Sequence, residues 1–282
     1  MQSEILTYGS GIFAGTAAIV CTLIPHAKRA AWKSATLLIG GAVVLTDSLI
    51  PVVRRCFNGQ FTENDQALLG GGLSLVGTLF ALIIGFVVVV VWQSLTETEG
   101  TVAREANALA DLERMSRGFE VQIRRQVQGA VRTYARLVVS DEWPAMAAGS
   151  HSVRANAALV ELWTVYTTMS AEQRGTHLYA QSLIRLNELG DARRTRLLSA
   201  TSRIPVVMWL LIAVDAIGIL ALSVAFGLSE TWQMRLIMAT LVASVAFAVF
   251  LVAELDGPFS GDLCVSAEAF AFVTSNMQDL ED

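Results

Sequence analysis

Residues 67–92 run for 26 positions without a charge and lead straight into an Arg- and Glu-rich segment of helical pattern. As an α-helix at about 1.5 Å per residue, the run would reach about 39 Å, more than the roughly 30 Å hydrocarbon core of a bilayer. It therefore crosses a membrane and leaves it still helical. Residues 5–25, 35–53, 204–228 and 236–253 are further apolar runs, so about five spans are expected. With 54% hydrophobic residues gathered into these runs, the chain has too many uninterrupted apolar stretches for a soluble domain of its length.

No Lys or Arg precedes the first run and Glu4 stands where a secretory signal is positive, so the run is expected to be a retained helix. Its Gly11 and Gly15 form a small-xxx-small pair, which either admits a neighbouring helix closely or is an ordinary pair of small residues. Orientation follows from Lys28, Arg29 and Lys33 in the first loop and from residues 97–203, which carry 14 Arg against 12 acids. Basic loops stay in the cytoplasm. This puts the N-terminus and residues 54–66 outside, despite Arg54 and Arg55, and the central segment and tail inside. Trp32, Trp92, Trp209 and Trp232 fall near span ends, where an indole favours the headgroup layer. The tail after Ala253 has seven acids and no Lys or Arg, and nothing favours nucleic acid as a partner.

The expected fold is thus all-α and polytopic. Residues 1–95 hold the first spans, 96–203 a cytoplasmic helical bundle inserted between the third and fourth, 204–256 the last two spans, and 257–282 an acidic cytoplasmic tail. Within the bundle, helices are expected over 96–117, 119–142, 153–169 and 171–202. Trp143-Pro144 should end the second, because proline disfavours helix at the preceding residue. Ser170 and Gln173 fit a capping box that starts the last. Ala106, Leu109, Ala110 and Leu112 form one apolar stripe, and Leu178, Ser182, Leu186 and Leu189 another. Arg193, Arg194 and Arg196, just before Pro205, read either as anchors to lipid phosphates or as an anion-attracting ring in an oligomer vestibule.

The sequence shows no glycine loop for phosphate, no metal-spaced His or Cys cluster and no nucleophile elbow, so neither an enzyme nor a cofactor or metal is expected. His26, His151 and His177 are isolated, and Cys21, Cys56 and Cys264 are too dispersed for a disulfide framework. Acids within spans are better leads, since a bilayer carboxylate costs about 2.5–3.5 kcal/mol even on the mildest scale. Asp215 lies mid-span: it is either a pore-lining or proton-sensitive group or a helix–helix hydrogen bond, to Ser223 or Thr240. Asp47, near Pro51, reads as interfacial.

Two blocks resemble bestrophins, pentameric ion channels whose second membrane helix lines an apolar neck. One is Leu79-Phe-Ala-Leu-Ile-Ile-Gly85-Phe86-Val; the other is Glu254-Leu-Asp-Gly-Pro258-Phe259-Ser-Gly261-Asp262, directly after the last span. Residues 63–270 are similar to a bacterial bestrophin-like membrane family of unknown function. That likeness rests on Gly85 to Trp92, Glu105-Ala-Asn-Ala-Leu-Ala-Asp-Leu112, Trp143-Pro144, Leu186-Asn-Glu-Leu-Gly-Asp-Ala-Arg-Arg194, Pro258-Phe259 and Val265-Ser266.

The resemblance implies a neck formed by Thr78, Leu82 and Phe86, whose four-residue steps keep them on one helical face. It also implies a homo-oligomer, a pentamer by that likeness, in the plasma membrane of a bacterium, in contact with lipid and passing inorganic ions, anions favoured. Departures limit it. The Arg-Trp-Trp usual past the neck is Trp92-Gln93-Ser94, no acidic run follows Asp262, and a span precedes the usual four, so calcium gating is not supported. The alternative is a non-conducting membrane scaffold or signalling protein whose bundle binds a partner.

Overall fold

The computed structural model describes residues 29–56, 63–226 and 232–278. Every regular element among them is helical: α1 (Arg29–Cys56), α2 (Glu63–Ser116), α3 (Val121–Leu137), a π-helical turn (Val138–Glu142), α4 (Trp143–Ala147), α5 (Val153–Thr167), α6 (Ala171–Arg174), α7 (His177–Thr201), α8 (Val206–Phe226), α9 (Trp232–Leu255) and α10 (Glu268–Gln278). Four stretches are long and apolar enough to cross a bilayer: Lys33–Val52, Asn64–Ser116, His177–Ala225 and Trp232–Leu255. The span expected over 5–25 lies outside the described residues.

Alpha-2 is one helix of 54 residues, so the charge-free run does continue unbroken into the polar segment. The chain divides into two units: residues 1–90 with 204–254, and residues 91–203 with 255–282.

In the first unit α1 packs on α8. Thin seams are buried: Ala35 and Ile50 on α1, Phe80, Ile84 and Val87 on α2, Ile212 and Ile219 on α8, and Val242 and Val252 on α9. Most other large apolar side chains, such as Leu37, Leu68, Leu75, Val206 and Val207, are exposed. Water would penalise such a surface, whereas hydrocarbon or a neighbouring subunit covers it. Several hydroxyls in these helices bond back to the carbonyl four residues earlier, Thr46 to Ala42 at 2.8 Å and Thr240 to Leu236 at 2.9 Å, so these need no solvent.

The second unit has a packed core. Alpha-3 lies on α5, and α7 and α10 close around them, burying Leu109, Leu112, Val131, Tyr134, Leu162, Leu186, Leu189 and Phe270. Both apolar stripes expected from spacing enter this core. Pro144, however, does not stop the helix near Asp141. It sits in the first turn of α4, where its missing N–H costs nothing, and the π turn before it absorbs the misfit. The chain turns only at Gly149, at φ +74°. The capping box at Ser170 forms, with both reciprocal bonds present, but it starts only the four residues of α6. Gly175 interrupts, and Thr176 caps α7 afresh through a bond from the Tyr179 N–H at 3.2 Å. Alpha-7 ends at Thr201, ahead of Pro205.

Candidate pore stripe and buried ion cluster

On α2 the helical phase sorts side chains into two faces. Phe80, Ile84 and Val87 pack inward, whereas Leu82 is 71% and Phe86 68% exposed, with Thr78 exposed on the same side. At about 100° per residue, the stripe through Thr78, Leu82 and Phe86 points almost directly away from the packed face. The Thr78 hydroxyl donates to the Ser74 carbonyl at 2.7 Å, which leaves a largely satisfied, weakly polar side chain in line with two apolar ones.

Asp215 is half-buried on α8 and its Oδ2 has no hydrogen-bond partner within the protomer. Ser223 Oγ is likewise unpartnered, and the Thr240 hydroxyl donates to Leu236, so within the protomer neither makes the helix–helix hydrogen bond that is one of the two readings of Asp215. Asp47 is exposed.

The arginines before Pro205 correct the sequence reading. Arg196 is fully buried: its guanidinium donates to Glu105 at 2.6 and 2.9 Å and to Glu142 at 2.7 Å. Arg193, also buried, donates to Glu142 at 2.6 Å and to Asn156 at 2.9 Å. Tyr134 donates its phenolic proton to Glu105 at 2.6 Å. The Trp143 ring lies 5.4 Å from the Arg196 guanidinium carbon. Two arginines and two glutamates thus form a charge-balanced, buried cluster. Only Arg194, 75% exposed and 3.4 Å from Asp191, is left to meet lipid or solvent.

The physical reason is register. Arg193 and Arg196 continue the buried stripe of Ser182, Leu186 and Leu189, and Glu105 sits on the face of Leu109 and Leu112. Charges on an apolar face signal a buried pair, a signal the reading of a basic surface passed over. Glu142 is turned inward by the π turn.

Burial raises the Glu142 carboxyl, but the Arg193 hydrogen bond and the Arg196 charge outweigh it and hold it below the ordinary glutamate value. Burial, and then Glu105, raises the Tyr134 phenol, and burial pushes Tyr166 up to about 12. A carboxyl depressed by folding contributes stability that is lost as pH falls, and a phenol raised by folding contributes stability lost as pH rises above about 10. Unfolding of this unit in detergent, followed by far-UV circular dichroism, is therefore expected to be flat between about pH 5 and 10 and to weaken on both sides. An optimum confined to acid would contradict the cluster.

The loop after α9 packs on the same place. Phe259 and Phe270 stand edge-on to Trp143 at 5.4 and 5.9 Å. The Trp143 indole donates to the Val265 carbonyl at 3.3 Å. Val265 N–H in turn donates to the Pro258 carbonyl at 2.8 Å, and Gly261 takes φ +80°, a conformation that favours glycine. Asp262 is half-buried. Among the described residues no three His, Cys, Asp or Glu side chains gather closely enough to share a metal ion.

A family model described as the Bestrophin-like domain matches residues 40–270. The chain belongs to the bestrophin-like family. Its fold is shared with solved structures of a bacterial bestrophin homologue from Klebsiella pneumoniae. One is 14% identical with a TM-score of 0.65 and covers 86% of this chain and 97% of that one. Two single-residue variants of the homologue give 14% and 0.65, covering 88% and 99%, and 13% and 0.67, covering 88% and 98%. No curated protein matches the sequence. Within this bestrophin-like chain, the separate motifs around Glu105, Trp143, Arg193, Phe259 and Val265 converge on the ion cluster.

Proposed function

We propose that this bestrophin-like protein is a homo-oligomeric, pentameric ion channel of a bacterial plasma membrane, its pore lined by Thr78, Leu82 and Phe86. The bundle and C-terminus lie in the cytoplasm. The observation that carries this reading is the exposure of Leu82 and Phe86 opposite the packed face of α2. Identical copies placed around an axis would stack these positions as rings, and apolar rings gate by dewetting. Anion conduction keeps the family likeness as its support. Burial of Arg193 and Arg196 against glutamates removes two of the three basic residues that also favoured it.

Single-channel recording of purified protein in a planar bilayer tests the proposal. Discrete currents are expected. Silence under all salts and pH values, with Phe86→Ala equally silent, would reject conduction, and particle images showing two protomers instead of five would discard the ring.

A further inference from the structure

The polar half of α2 keeps the same division of faces. Glu105, Leu109 and Leu112 are buried, while Glu97, Gly100 and Arg104 are exposed. Glu97 and Arg104 stand 11 and 18 residues beyond Phe86 on this uninterrupted helix, about three and five turns, and so return to one register. Both line a crevice of about 450 Å³, walled by Thr101 on α2 and by Thr195 and Ser199 on α7. A methyl group added at Gly100 would meet nothing within 4 Å, so the space is open. Arg104 donates to the Thr101 hydroxyl at 2.9 Å. Among the described residues neither Glu97 nor Arg104 forms an ion pair, a property they share with the exposed Arg125, Arg136 and Arg174 of the same unit.

We propose that Glu97 and Arg104 form two oppositely charged rings in series and that together they rectify the ion current. The inference rests on the channel reading, because the rings exist only if copies surround an axis. Parallel copies repeat each position at one height, so the rings lie seven residues or about 10.5 Å apart. That is about one Debye length at 0.1 M salt, and neither ring cancels the other. The acidic ring concentrates cations and the basic ring anions.

A field that drives cations in through the acidic end and anions in through the basic end fills the space between the rings with both. The opposite field empties it, and conductance falls. With the bundle in the cytoplasm the acidic ring is the outer one, so the favoured direction is inward, at negative internal potential.

The test uses membrane patches from bacterial spheroplasts, where orientation is fixed, in symmetric potassium chloride, against a strain lacking the protein. Inward current is expected to exceed outward current. Glu97→Gln and Arg104→Gln should each reduce the asymmetry, and the exchange Glu97→Arg with Arg104→Glu should reverse its direction. A wild-type current that is symmetric, or an exchange variant that keeps the wild-type direction, overturns the proposal. If Phe86→Ala still changes conductance in that case, the channel reading stands without the rings, whereas a wild-type protein without current removes both. Loss of the assembled oligomer in both glutamine variants assigns the residues to contacts between copies and also overturns the proposal.

Discussion

Arg196→Met lowers the melting temperature of the bundle sharply, by the equivalent of about 3–5 kcal/mol, the usual cost of leaving a buried charge alone. Glu142 retains Arg193, but Glu105 keeps only the Tyr134 hydroxyl. A dry carboxylate with one neutral donor is far from compensated. Domain stability is about 5–15 kcal/mol, so this single change consumes much of it. Adding Glu105→Leu to Arg196→Met should restore most of the loss, because replacing both members of a buried pair by apolar groups is often neutral. Arg194→Met, at an exposed pair, should leave melting unchanged. Circular dichroism in detergent separates the three variants, and equal melting of the Arg196 and Arg194 variants would contradict the burial of the cluster.

Phe86→Ala is expected to raise single-channel conductance several-fold, and Leu82→Ala less so. If five copies of each side chain face one lumen, truncation widens a constriction whose apolar rings otherwise resist wetting. The neighbouring Ile84 supplies the control. It is buried in the protomer, so Ile84→Ala should cost about 2–5 kcal/mol through the cavity it leaves and should not widen the pore. Unchanged current in both Leu82 and Phe86 variants would remove these residues from the neck.

The parts of this fold legible in the sequence are those governed by local rules. A charge-free run cannot stop inside hydrocarbon, and the Ala-, Leu- and Arg-rich residues after Trp92 continue a helix without a breaker; α2 follows from both. The Ser170 cap was equally local, and it formed. Its helix is shorter than the sequence pattern implies because Gly175 and Thr176 make a second stop and start one turn later. Pro144 is ambiguous in sequence for a related reason: a proline can end a helix or begin one, and the π turn before it places it at a start.

The ion cluster was not read because its partners are brought together over 51 to 91 residues of chain. Three arginines within four positions look like a basic surface until their register is set against Leu186 and Leu189. The Thr78, Leu82 and Phe86 stripe was legible as a face of a helix. Which face packs within the protomer came only from the structure, since a helix that is apolar all round carries no phase of its own.

Cysteine accessibility along α2 tests the central claim most directly. In a background with Cys21, Cys56 and Cys264 replaced by serine, Leu82→Cys, Phe86→Cys and Ile84→Cys are recorded before and after a charged, water-soluble thiol reagent. If the stripe faces an aqueous lumen, the reagent changes the current through the Leu82 and Phe86 variants and leaves the Ile84 variant unaffected. Modification of the Ile84 variant alone, or a current indifferent to the reagent at positions 82 and 86, would show that this face of α2 does not line the ion path.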